Sequence, residues 1–134
     1  MQGTLVVAHR TNGTIAKGTS LDVDIKHPAC HLRTQAGEVI EILLADVKAL
    51  FLVKSFTGES THHESKEPQV GDSRLVGARR VRVVFEDGEE VVGLMNRYPP
   101  ITRFFFMLPM DPESNNIRIL INGAAVKEMG EVTA

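Results

Sequence analysis

Apolar and polar residues alternate along most of the chain, with the period of two that belongs to strands. The clearest run places Val81, Val83 and Phe85 between Arg80, Arg82 and Val84 and ends at Asp87-Gly88. Asp-Gly between two β-rich runs is a hairpin signal, because both turn residues need positive φ. Val91 and Val92 then lead to Gly93, which predicts a bulge or sharp bend in the second strand. Phe104 to Leu108 reads as a third strand, stopped by Pro109 and the turn-rich run from Met110 to Asn116. Ile117, Ile119 and Ile121 mark a fourth strand, and Asn122-Gly123 turns into a short fifth around Ala125 to Met129.

The first half of the chain carries the same succession. At an offset of 75 residues, Asn12-Gly13 falls on Asp87-Gly88, Gly18 on Gly93, and Cys30-His31-Leu32 on Phe105-Phe106-Met107. After a four-residue insertion the offset is 79, and Ile40 and Ile42 match Ile119 and Ile121 while Val47-Lys48 matches Val126-Lys127. Chance readily supplies one such match, but not five in order, and a turn absorbs an insertion at little cost. The correspondence also settles one ambiguity. Ile40, Leu43, Leu44, Val47, Leu50 and Phe51 fit a helical stripe as well, but their counterpart contains Asn122-Gly123, poor material for a helix interior. Strand, turn, strand is therefore expected, with at most one helical turn at Leu44 to Val47.

The expected fold class is all-β: two tandem repeats of a five-stranded SH3-like or Sm-like small barrel. A unit of under 60 residues has a marginal core, so the two are expected to pack together or share strands. Residues 1–58 form the first repeat, 59–75 a polar linker and 76–134 the second repeat.

Composition narrows the function classes. The chain has 134 residues, 43% hydrophobic and 24% charged, the balance of a soluble globular protein. Net charge is −2, and neither 1–58 nor 76–134 departs from balance by more than one charge. A charge-driven nucleic-acid binder shows a basic surplus, so that class loses weight. The single Cys30 excludes an intrachain disulfide and reads as a small buried hydrophobe. No run is long enough for a membrane span, and no signal-peptide pattern opens the chain, so a cytoplasmic location is expected.

The pattern of Asn/Asp-Gly, a glycine five residues on, a later strand that is aromatic in the second copy, and an Ala/Asp-Val-Lys strand start is most recognisable over Leu44 to Lys54 and Phe105 to Lys127. It resembles an uncharacterised bacterial family of duplicated small β domains of unknown function. That resemblance spans nearly the whole chain and implies no activity. A looser likeness is to Sm-like RNA-binding barrels. Their Asp-x-x-x-Asn after the early glycine is replaced here by Thr19-Ser20-Leu21-Asp22 and by Leu94-Met95-Asn96-Arg97. Cyclic-dinucleotide-binding PilZ barrels offer a third comparison, but Arg74, Arg79, Arg80 and Arg82 lack the Arg-x-x-x-Arg spacing of that family.

Candidate binding residues cluster in the second half. Arg80 and Arg82 share a strand face and form a candidate anion site, although Glu86, Glu89 and Glu90 on the hairpin can neutralise them. Arg97, Tyr98 and Arg103 flank Pro99-Pro100 in a loop, where a Tyr between arginines can stack on a base or a side chain. Phe104 and Phe106 point opposite to Phe105, so both faces of that strand are apolar and either both are covered or one is an interaction surface. His62-His63 with Glu59, Glu64 and Glu67 lack fixed metal geometry. Asp22 and Asp24 share a face if their segment is extended.

These readings converge on a non-enzymatic binding or adaptor module acting through protein–protein contacts, with a protein partner or self-association. No catalytic set, metal site, cofactor or membrane partner is expected. The alternative is a nucleotide- or nucleic-acid-binding regulator of PilZ-like or Sm-like type that uses Arg80, Arg82, Arg97 and Arg103.

Overall fold

A computed structural model describes residues 3–57, 65–68 and 71–132. Ten strands follow one another: β1 (Thr4–Arg10), β2 (Ile15–Ser20), β3 (Ala29–Arg33), β4 (Val39–Leu43), β5 (Val47–Val53), β6 (Arg79–Phe85), β7 (Glu90–Met95), β8 (Phe104–Pro109), β9 (Asn116–Asn122) and β10 (Val126–Glu131). The only helical pieces among the described residues are three-residue 3-10 turns at Leu44–Asp46, Ser73–Leu75 and Gly123–Ala125. The first of these answers the Leu44 to Val47 ambiguity, since a single turn separates β4 from β5. Asn122 starts the equivalent turn in the second half by accepting a bond from the Ala124 N–H at 3.0 Å.

All pairs are antiparallel, and the hydrogen-bonded order is β10-β6-β7-β8-β9-β5-β1-β2-β3-β4. The all-β expectation therefore holds, but the ladder describes one open ten-stranded sheet that runs unbroken from half to half. Within each half the order is alike: the fifth strand lies beside the first, and the meander ends on the fourth. β1 begins at Thr4 and β6 at Arg79, a step of 75; the turns at Leu44 and Gly123 differ by 79. The halves join where β5 pairs with β9, Leu50 opposite Leu120 and Phe51 opposite Ile119.

That join explains why β5 is buried at every one of its positions. Ala49, Phe51 and Val53 face one core with Val81, Val83, Phe85, Phe105 and Ile121. Val47, Leu50 and Leu52 face the other with Val6, Ala8, Cys30, Leu32 and Ile42. A strand that is covered on both faces reads as a continuous apolar run, as residues 49–53 do. Leu120 of β9 likewise enters the first-half core, while its neighbours Ile119 and Ile121 enter the second.

Each half presses two strands together at a glycine. A Cβ on Gly18 would lie 2.7 Å from the Arg33 carbonyl oxygen, and one on Gly93 would overlap the Met107 side chain and the Leu108 carbonyl. β3 and β8 approach so closely there that no side chain fits. Pairing is correspondingly brief, at Thr19–Arg33 alone between β2 and β3 and at two positions between β7 and β8.

Two local expectations are corrected. β2 ends at Ser20, so Asp22 and Asp24 lie in a loop and do not share a strand face. Pro109 is the last residue of β8 rather than its stop. In the segment read as a linker, the described residues are tied down. Arg74 donates to the carbonyls of Pro109 and Met110 and forks onto Asp72, and Ser65 N–H donates to Asp111. His62, His63, Glu59 and Glu64 lie outside the described residues.

Candidate interaction surfaces

Alternation in β6 buries Val81, Val83 and Phe85 completely and turns Arg80 and Arg82 outward, as their spacing requires. Both arginines meet acids. Arg82 Nε donates to Glu90 at 2.6 Å, and its guanidinium lies 3.8 Å from Glu128 of the neighbouring β10. Arg80 pairs with Glu67 at 3.3 Å and donates to the Lys66 carbonyl. Hydrogen bonds from Lys66 and Arg82 hold the Glu90 carboxyl below its ordinary range. This face is a neutralised ion-pair network, although the buried Arg80 Nε finds no hydrogen-bond partner in it.

The loop from Met95 to Phe104 carries the next three residues. Arg97 is exposed. Tyr98 packs on the second core and its hydroxyl donates to the Met129 carbonyl at 3.4 Å. Arg103 donates to Asn122 at 3.0 Å and its guanidinium sits 5.0 Å above the Phe104 ring. Phe104 and Phe106 pack against the first-half core from β8, while Phe105 belongs to the second. Arg118 covers Phe106 at 4.2 Å. The Phe strand is thus apolar on both faces because a core lies on each side.

Among the described residues, Ser20, Asp22 and His31 come together but do not form a nucleophile–base set. Asp22 accepts bonds from the Ser20 hydroxyl at 2.8 Å, the His31 backbone N–H at 2.9 Å and the His31 ring at 2.7 Å. Burial opposes ionisation there, yet these bonds hold the Asp22 carboxyl at about 2. The side-chain bond to Asp22 in turn raises the His31 pKa. Serine and histidine both end on the carboxylate and do not address each other, so no base is placed to activate a nucleophile. Burial and the nearby Asp22 charge push the Cys30 thiol up to about 11, against thiolate formation. No group of three metal-ligating side chains occurs among the described residues.

A cleft of about 240 Å³ lies between the two halves, lined by Arg10, Thr11, Lys48, Phe85, Asp87 and Ala125. Its buried cation is already satisfied. Lys48 pairs with Asp87 at 2.6 Å and Glu89 at 2.5 Å and lies over the Phe85 ring. Those contacts raise the Lys48 pKa although burial works the other way.

The sheet edges are different in kind. Among the described residues no strand pairs with the outer side of β4 or of β10. On β4, Val39 is 60% exposed and Leu43 44%, with Glu41 between them on the same face. The backbone phase is fixed by two bonds: Leu44 N–H to the Pro28 carbonyl and Thr34 N–H to the Glu38 carbonyl. With the observed register, Ile40 and Ile42 bond to β3, and Val39, Glu41 and Leu43 turn N–H and C=O to the open edge. On β10, Val132 N–H to the Arg80 carbonyl sets the same alternation, so Met129 and Glu131 face outward. Sequence reasoning passed over Val39, Glu41 and Leu43. Their exposure follows only once β9, not β4, is known to cover β5.

The chain belongs to a family of unknown function, DUF6982, whose model matches residues 2–133. This accords with the resemblance drawn from the sequence, and it brings no activity with it. No curated protein and no solved structure matches the chain.

Proposed function

Since family membership supplies no chemistry, we propose from the geometry that the protein is a non-enzymatic binding or adaptor module whose partner adds a strand to an open sheet edge. The observation that carries the reading is β4, with an unpaired backbone edge beside exposed Val39 and Leu43. Natural edge strands are usually shortened, charged or covered, because unpaired N–H and C=O groups template further pairing. β4 has one charge, Glu41, between two apolar residues, a pattern that gives an incoming strand both hydrogen bonds and side-chain pockets. The matching strand orders and offsets support a duplicated five-stranded unit, each half a small SH3-like or Sm-like barrel opened at the join. A cytoplasmic bacterial setting is part of the same reading, and no helix among the described residues is long and apolar enough to cross a membrane.

The nucleotide or nucleic-acid alternative has less support, because Arg80, Arg82 and Arg103 already have partners. Affinity capture from the source lysate separates the two, using wild type and Glu41→Pro with and without nuclease. Proline at position 41 removes an outward N–H and leaves the β3 ladder intact. The expected result is a nuclease-resistant protein partner lost from the variant. Nuclease-sensitive material bound equally by both would contradict the proposal.

A further inference from the structure

The join between the halves is itself an edge-to-edge contact, and its two strands have counterparts elsewhere in the molecule. β5 is the fifth strand of the first half and β9 the fourth of the second. The fifth strand of the second half is β10 and the fourth of the first is β4, which are the two open edges. We propose that the edge partner is a second copy of this chain, with β10 of one molecule pairing antiparallel to β4 of the next as β5 pairs with β9. This inference rests on the edge-binding reading above and names its partner.

The register follows by translation. Leu50 opposite Leu120 becomes Met129 opposite Glu41, and Leu52 opposite Arg118 becomes Glu131 opposite Val39. The backbone supplies a check that the offsets do not guarantee. Met129 and Glu131 are the β10 residues whose N–H and C=O face outward, and Glu41 and Val39 are outward-facing on β4. The translated register therefore sets outward groups against outward groups, as hydrogen-bonded antiparallel pairs require. Side chains on that face also fit. Met129 falls diagonally between the exposed Val39 and Leu43.

Two features moderate the contact. The Tyr98 hydroxyl touches the Met129 carbonyl at 3.4 Å, a long bond to an oxygen with a second lone pair. Glu128 stands where β5 has Ala49 and would face Ile42 in the accepting copy. A carboxylate there weakens the pairing relative to the internal join. Because donor and acceptor edges differ, the contact is heterologous and generates rings or filaments.

Sedimentation velocity of the full chain, from micromolar to millimolar, tests this. Wild type is expected to gain mass with concentration. Glu41→Pro and Met129→Pro should each stay monomeric with unchanged far-ultraviolet circular dichroism, and their mixture should form a dimer, since each retains one working edge. Glu128→Ala should associate about fivefold more tightly, the scale of one cross-strand pair. Self-association by Met129→Pro alone, or monomers throughout for both wild type and Glu128→Ala, would overturn the proposal. If those are monomeric but a foreign protein binds wild type and not Glu41→Pro, the inference falls and the edge-binding reading stands. If no edge-dependent partner of any kind is found, both fall.

Discussion

Asp22 shows how a single side chain can order a loop that has no regular structure. It bonds Ser20 behind it and both the backbone and ring of His31 nine residues on, closing the β2–β3 connection. Its depressed pKa means that its contribution is present above the ordinary carboxylate value near 4 and is lost as pH falls through about 2. The raised His31 pKa has the opposite sense: its contribution is full below 6.5 and fades as pH rises through the folded value. Asp22→Asn is therefore expected to lower the melting temperature most near pH 5, by a margin that narrows above neutrality, and to return the His31 titration toward 6.5 in NMR. Gly93 makes a second residue-scale case. Any Cβ overlaps Met107 and Leu108, so Gly93→Ala should cost about 1–3 kcal/mol by overpacking, read from denaturant midpoints.

Among elements, β5 differs from the others because it serves two cores and is buried at every position. Leu50 is fully buried opposite Leu120, so Leu50→Ala should cost about 2–5 kcal/mol, and loss should appear as one transition across both halves. Val39→Ala on the open edge should change stability by less than about 0.5 kcal/mol, which makes the pair a sharp contrast in chemical denaturation. Strands and turns were legible in the sequence because alternation and turn residues are local. Val81, Val83 and Phe85 read correctly as one buried face, and Asn122-Gly123 correctly argued against a helix at Leu44. Strand partners were not legible. Alternation says which side chains share a face, not which neighbour bonds the backbone, so the β5–β9 join and the exposed β4 went unseen. The Phe104 to Phe106 run held a partial signal. An apolar strand on both faces called for two covers or for one cover and an interaction surface, and the structure supplies two covers as the two cores.

For the whole molecule, the candidate site was less legible than the fold for a physical reason. Arg80, Arg82 and Arg103 attract attention as charges, yet Arg80 and Arg82 are paired with acids that include Glu67 and Glu128 from other segments, and Arg103 is held by the neutral Asn122. An open edge carries no residue signature, since its chemistry is that of the backbone. The described residues form an unbroken sheet that ends in two dissimilar edges, the ends at which we propose that partners bind. Backbone hydrogen exchange at low protein concentration measures this directly. The β5 and β9 amides are expected to exchange only on global unfolding, while Val39, Glu41, Leu43, Met129 and Glu131 exchange orders of magnitude faster. If β5 and β9 amides exchanged as fast as those edge amides, or the two halves lost protection independently, the central claim would be contradicted.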